Sequence, residues 1–152
     1  MKLTENLSLA EVTKSATAIR KGITNTPSAT HLIALKEVSK NIFQPCREHF
    51  GKPLAVTSGY RSEALNEAIN GSKTSQHSKG EALDLDADVF GGFSNAELFN
   101  YIKDHLDFDQ LIWEFGNNNN PAWVHCSYKT RGNRNEVLIA IKTNNQTTYR
   151  KL

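Results

Sequence analysis

The sequence predicts an α+β fold, with N-terminal helices packed on a mostly antiparallel sheet. Two patterns carry this reading. Apolar residues recur at helical spacing between Leu9 and Phe43, whereas later segments are short, alternate in polarity and are separated by Gly, Pro and Asn. The length adds a third observation: 152 residues suit one domain, 1–152, able to bury a real core.

The elements follow in order. Leu7-Ser8-Leu9-Ala10-Glu11-Val12 reads as a helix start, with Ser8 and Glu11 as a capping box and Leu7 stapled to Val12. Leu9, Val12, Ala16 and Ile19 continue its stripe until Gly22 stops it. Thr26-Pro27 opens a second helix, with Pro27 at the tolerated first position. Leu32, Leu35, Val38, Ile42 and Phe43 form its buried stripe, and Pro45 is expected to kink or end it. Gly51-Lys52-Pro53 is a turn, Leu54 to Thr57 a short strand and Ser62 to Ile69 a short helix. A polar loop then runs to Lys79. Glu81 to Asp88 reads as a strand, and Gly91-Gly92 as a break. Ser94 and Glu97 cap another helix reaching about His105, with Phe93 and Leu98 as its staple. Strands are predicted at Gln110 to Phe115, Trp123 to Tyr128 and Val137 to Lys142, with a last short one near Thr147 to Arg150.

Composition removes several classes of function. A formal net charge of +2, with no basic run, argues against a nucleic-acid partner. No segment is apolar and long enough to insert in a membrane, and the start has no signal-peptide core. The expectation is synthesis in the cytoplasm, as a monomer. Cys46 and Cys126 are far apart, form no CxxC pair and are expected to be free thiols.

The chemistry centres on SQHSKGEALDLDAD, residues 75–88. His77 precedes Asp84 by seven positions, and Gly80 between them lets the chain fold back. Leu83 and Leu85 face the core, which turns Asp84 to the opposite face. His125 lies in the apolar strand AWVHCSY. Taken singly, each has a plainer account: a loop histidine, a wet strand face, a satisfied core histidine. Together they form two imidazoles and a carboxylate, the three-ligand pattern of a catalytic zinc site with one position open. In DQLIWEF, alternation puts Leu111, Trp113 and Phe115 on one face and Gln110, Ile112 and Glu114 on the other. A hairpin through the asparagine run 117–120 would bring Glu114 beside His125, where it could act as general base. Its plainer account is an exposed strand acid. Arg61, in VTSGYRS, could grip a carboxylate or simply brace the fold. Gly71-Ser72-Lys73-Thr74 lacks the spacing and context of a phosphate loop.

These residues resemble a known family. Ser75, His77, Gly80, Ala82 and Asp84 match the pattern S-x-H-x-x-G-x-A-x-D of the zinc D-alanyl-D-alanine carboxypeptidases and L-alanyl-D-glutamate peptidases. That group includes vancomycin-resistance D,D-dipeptidases and several phage endolysins, and shares its fold with the hedgehog signalling domain. Ser58-Gly59-Tyr60-Arg61-Ser62, with Asn66 beyond it, matches the family's upstream turn, and Trp123-Val124-His125 the strand of the last ligand. The likeness runs from about Ser8 to Tyr128. It implies zinc held by His77, Asp84 and His125, a substrate-binding or polarising Arg61, and a Ser75 that helps position substrate. Trp123 would wall the pocket. Many relatives carry a glutamate three residues, or a histidine two residues, before the last ligand; here those places hold Ala122 and Trp123. Hedgehog-type relatives have FDxxxxE, which Phe108-Asp109 to Glu114 resembles, and this points to Glu114 as the base.

The implied activity is zinc-dependent hydrolysis of peptidoglycan stem peptides, by a phage lysis enzyme acting on the wall after release or by a murein-recycling enzyme acting in the cytoplasm. The alternative is a zinc-containing murein-binding or phage structural domain without catalysis.

Overall fold

A computed structural model describes the whole chain, residues 1–152. Six strands make the main sheet: β3 (Ala55–Ser58), β4 (Ala82–Asp86), β5 (Gln110–Glu114), β6 (Trp123–Ser127), β7 (Glu136–Thr143) and β8 (Gln146–Lys151). Their order is β3-β4-β6-β5-β7-β8, and every neighbouring pair is antiparallel apart from the parallel β5–β7. A small pair, β1 (Lys2–Thr4) with β2 (Leu7–Ser8), precedes it. The α+β expectation is met, with the β1–β2 pair and the parallel pairing as additions.

The capping boxes form as expected. Ser8 and Glu11 cap α1 (Leu9–Thr13), and Ser94 and Glu97 cap the later helix Asn95–His105. Both staples are buried: Leu7 with Val12, and Phe93 with Leu98. The first helix does not run on to Gly22, however. The Val12 carbonyl accepts from Tyr60 N–H, and the Thr13 carbonyl from Asn25 Nδ2, so neither is free for a further helical turn. Ser15 recaps the chain as α2 (Ala16–Lys21), which leaves Ile19 exposed.

Ser28, not Pro27, opens the next helix, since its hydroxyl caps α3 (Ala29–Val38). Pro45 neither ends nor sharply breaks it. A π-turn at Ser39–Phe43 widens the helix one turn earlier, and α4 (Gln44–Phe50) continues with Pro45 in its first turn. Strand β4 stops at Asp86, because the Asp86 carboxylate accepts from Asp88 N–H and turns residues 87–89 into a 3₁₀ segment.

Helices cover one face of the sheet. Leu35, Val38, Ile42 and Phe43 pack with Leu98, Phe99 and Ile102 against Leu83, Leu85, Leu111, Val124 and Cys126. Each fully buried large apolar side chain contributes about 1.5–3 kcal/mol before entropy is counted. Cys46 and Cys126 are buried and free, as expected. The opposite face carries the polar residues that follow.

Candidate metal centre

Strand register assembles the site. Asp84 of β4 lies opposite His125 of β6, and His125 lies opposite Ile112 of β5. Period-two alternation then puts Asp84, His125, Ile112 and Glu114 on one face. The third residue comes from a turn. Ser75 caps the 3₁₀ segment Gln76–Lys79 through its hydroxyl, which accepts from His77 N–H. Gly80 ends that segment at φ 75°, and a side chain there would strike the His31 carbonyl.

His77 and His125 converge on Asp84. Asp84 Oδ1 lies 3.3 Å from His77 Nε2 and 3.0 Å from His125 Nδ1. The three residues each offer a ligand atom, all within 4.8 Å of one another. His77 is 3% exposed, and burial pulls its pKa down while the Asp84 carboxylate opposes the shift. Its Nδ1 is 2.7 Å from the Gly59 carbonyl, which can only accept, so Nδ1 carries the proton. In the neutral ring the Nε2 lone pair then faces a carboxylate oxygen. Burial alone would raise the Asp84 carboxyl, but positive charge at the two histidine nitrogens that face it outweighs burial and holds the group well below the usual range. A bare imidazole nitrogen against a carboxylate oxygen at this distance is repulsive unless a cation or a proton lies between them. The donor set, with the outer nitrogen of His77 anchored on a backbone carbonyl, fits a zinc ion.

These residues sit in a groove of about 790 Å³, which Arg61, Ser75, Glu114 and Trp123 also line. All seven residues picked out from the sequence thus come together. Glu114 is 7% exposed, and its carboxyl is pushed up to about 7, chiefly by burial, with Asp84 adding to the shift and His125 opposing it. Burial lowers the Arg61 guanidinium while Asp84 opposes the shift, and Arg61 Nε is buried without a partner. Asp86 and Asp88, which alternate with Asp84, lie outside the groove lining. They accept hydrogen bonds from Asn95, and Asp88 also from Asn120.

Phe115 corrects the strand reading. Its φ of 55° breaks the alternation, so the ring packs on Ile112, Leu138 and Ala140 and lies 5.4 Å from Trp123, on the groove side. Sequence reasoning also missed Asp109. This fully buried carboxylate accepts from Arg134 Nε at 2.9 Å and Arg134 Nη2 at 2.7 Å, and from Gln76 Nε2 at 2.9 Å. It ties the turn that carries His77 to the loop that leads into β7. The FD dipeptide before β5 was its one visible signal.

The family model for peptidase M15 matches residues 5–127, a span that holds the three convergent ligands, Arg61, Ser75, Glu114 and Trp123. A comparison with curated proteins finds no match. A match over most of the chain, with a metal-ready His-Asp-His set inside it, gives one conclusion: the chain belongs to the peptidase M15 family of metallopeptidases.

Proposed function

We propose that the protein is a zinc-dependent peptidase that hydrolyses stem peptides of peptidoglycan, of the D-Ala-D-Ala carboxypeptidase or L-Ala-D-Glu endopeptidase type. His77 Nε2, the Asp84 carboxylate and His125 Nδ1 are the atoms that would hold the ion. When bound, zinc supplies a Lewis acid and lowers the pKa of its water from ~15.7 towards ~7. Glu114, poised at about 7, takes the proton from the attacking water and returns it to the leaving amine. Arg61 lines the groove, and its guanidinium would donate to the substrate's carbonyl or carboxylate oxygen. Ser75 fixes the His77 turn and borders the substrate, and Trp123 walls the opposite side of the same groove.

The observation that carries this reading is the pairing of a neutral, backbone-anchored His77 with Asp84 and His125, beside a second carboxyl pushed in the opposite direction. Two acids driven apart on one site mark distinct roles, one a ligand and one a proton carrier. The test is digestion of defined muropeptides, with products weighed by mass spectrometry. Wild type should release one defined fragment, and Glu114→Gln should retain zinc while turnover falls by about 10²–10⁴-fold. Full zinc with no product from wild type would leave a binding domain instead.

A further inference from the structure

The family match ends at residue 127, at the end of β6. Strands β7 and β8 lie beyond it, and yet Leu138, Lys142, Thr147 and Tyr149 from these strands line the groove that holds the metal-ready residues. Register explains why. Glu114 is opposite Ala140, and Ala140 is opposite Tyr149, so Tyr149 stands on the site face two strands beyond Glu114. Ala140 is small and buried, which leaves room above it for larger neighbours. Tyr149 lines the same groove as Glu114 and Asp84, and its phenol is pushed up by partial burial and by their negative fields. Asn144 and Asn145, both at positive φ (51° and 64°), form the tight turn that holds the two strands in this register.

The groove is also flanked by cations. Arg61 borders it on one side and Lys142 on the other, and neither cation has a carboxylate partner. Lys142 Nζ instead lies 5.9 Å above the Phe115 ring. From β4 to β8 the groove crosses four strand spacings, roughly 19 Å at ~4.8 Å each, which is the reach of about five to six extended residues. A single residue beyond the scissile bond would not need this length.

We propose that the β7–β8 hairpin is a substrate-binding wall for an extended acidic peptide, with Lys142 pairing a peptide carboxylate and Tyr149 packing on the backbone beside it. This deepens the peptidase reading and rests on it for the direction of the chain through the groove. The probe is a synthetic murein stem pentapeptide, together with the same peptide with its side carboxylates amidated. Binding is measured by calorimetry on zinc-loaded Glu114→Gln protein, chosen to leave the peptide uncut. Lys142→Glu should weaken binding of the acidic peptide by at least about tenfold, and Lys142→Arg should restore it. The amidated peptide should bind the Lys142 and Lys142→Glu proteins within about twofold of each other. Tyr149→Ala should weaken both peptides by about three- to tenfold. Equal affinity of Lys142→Glu and its parent for the acidic peptide, or no saturable binding to the parent, overturns the proposal. Wild-type turnover separates the two readings. Turnover with Lys142-independent binding removes the hairpin wall alone, whereas Lys142-dependent binding without turnover keeps the wall and removes the peptidase.

Discussion

Asp84 and Asp109 are both shielded carboxylates drawn below the ordinary range, but by opposite kinds of partner. Asp109 is held down to about 2, first by hydrogen bonds from Arg134, against the cost of burial and with help from Gln76. Lys129 Nζ adds a cation at 3.7 Å. Both of its oxygens are occupied by donors that never lose their protons near neutrality, so no lone pair faces a vacant space. Asp84 has imidazoles alone for partners, and one of them turns a bare nitrogen towards it. The first arrangement is complete as it stands and braces the fold. The second is a metal-ready set that an ion would complete.

The sharpest way to break this contrast is to exchange the two losses. Asp84→Asn should cut peptide hydrolysis by at least about 10³-fold through loss of the metal, while the chain stays folded. Asp109→Asn should leave the folded fraction active. It should instead cost on the order of 2–3 kcal/mol of stability, read from urea unfolding. The pH dependence follows from the lowered pKa. The Asp109 contribution is full above the unfolded value of ~3.9 and is lost as pH falls through about 2, so the variant and wild type should converge near pH 2.

Glu114 extends the comparison to a carboxyl shifted the other way. Its folded pKa is raised from 4.5 to about 7, so the native state binds the extra proton and stability falls as pH rises through that window. In metal-free protein, Glu114→Gln should therefore be more stable than wild type by about 1–3 kcal/mol above pH ~7, with little difference at pH ~4. The same substitution should disable turnover in the proposed mechanism, so activity and stability should move in opposite directions. The smallest effect belongs to Asp88, an exposed acid in the same alternating stretch as Asp84. Asp88→Ala should leave zinc content unchanged and shift stability by less than ~1 kcal/mol.

The His77–Asp84 half of the metal-ready set was legible because it is local, a histidine, a permissive Gly80 and an alternating strand, and His125 was legible as a histidine where an apolar residue was due. The capping boxes at Ser8 and Ser94 were legible for the same reason, since all their partners lie within one helical turn. What escaped depends on partners distant in the chain. The break after Thr13 needs the amides of Tyr60 and Asn25 to claim two carbonyls. The parallel β5–β7 pairing needs a crossover pinned by Asp109, Arg134 and Asn135. Phe115 left its expected face because the turn into Gly116 takes positive φ at both residues, a feature that alternation cannot register. The approach of Lys142 and Tyr149 to the groove follows from that parallel pairing, and so it was hidden with it.

The central claim is that His77, Asp84 and His125 hold one zinc ion in a site open to solvent. Elemental analysis of protein purified without a histidine tag, dialysed and reloaded with zinc, tests it most directly. The account predicts one zinc per chain, lost in His77→Ala, Asp84→Ala and His125→Ala but kept in Glu114→Gln and Asp88→Ala. A wild type that retains no zinc, or ligand variants that retain it fully, would contradict the account.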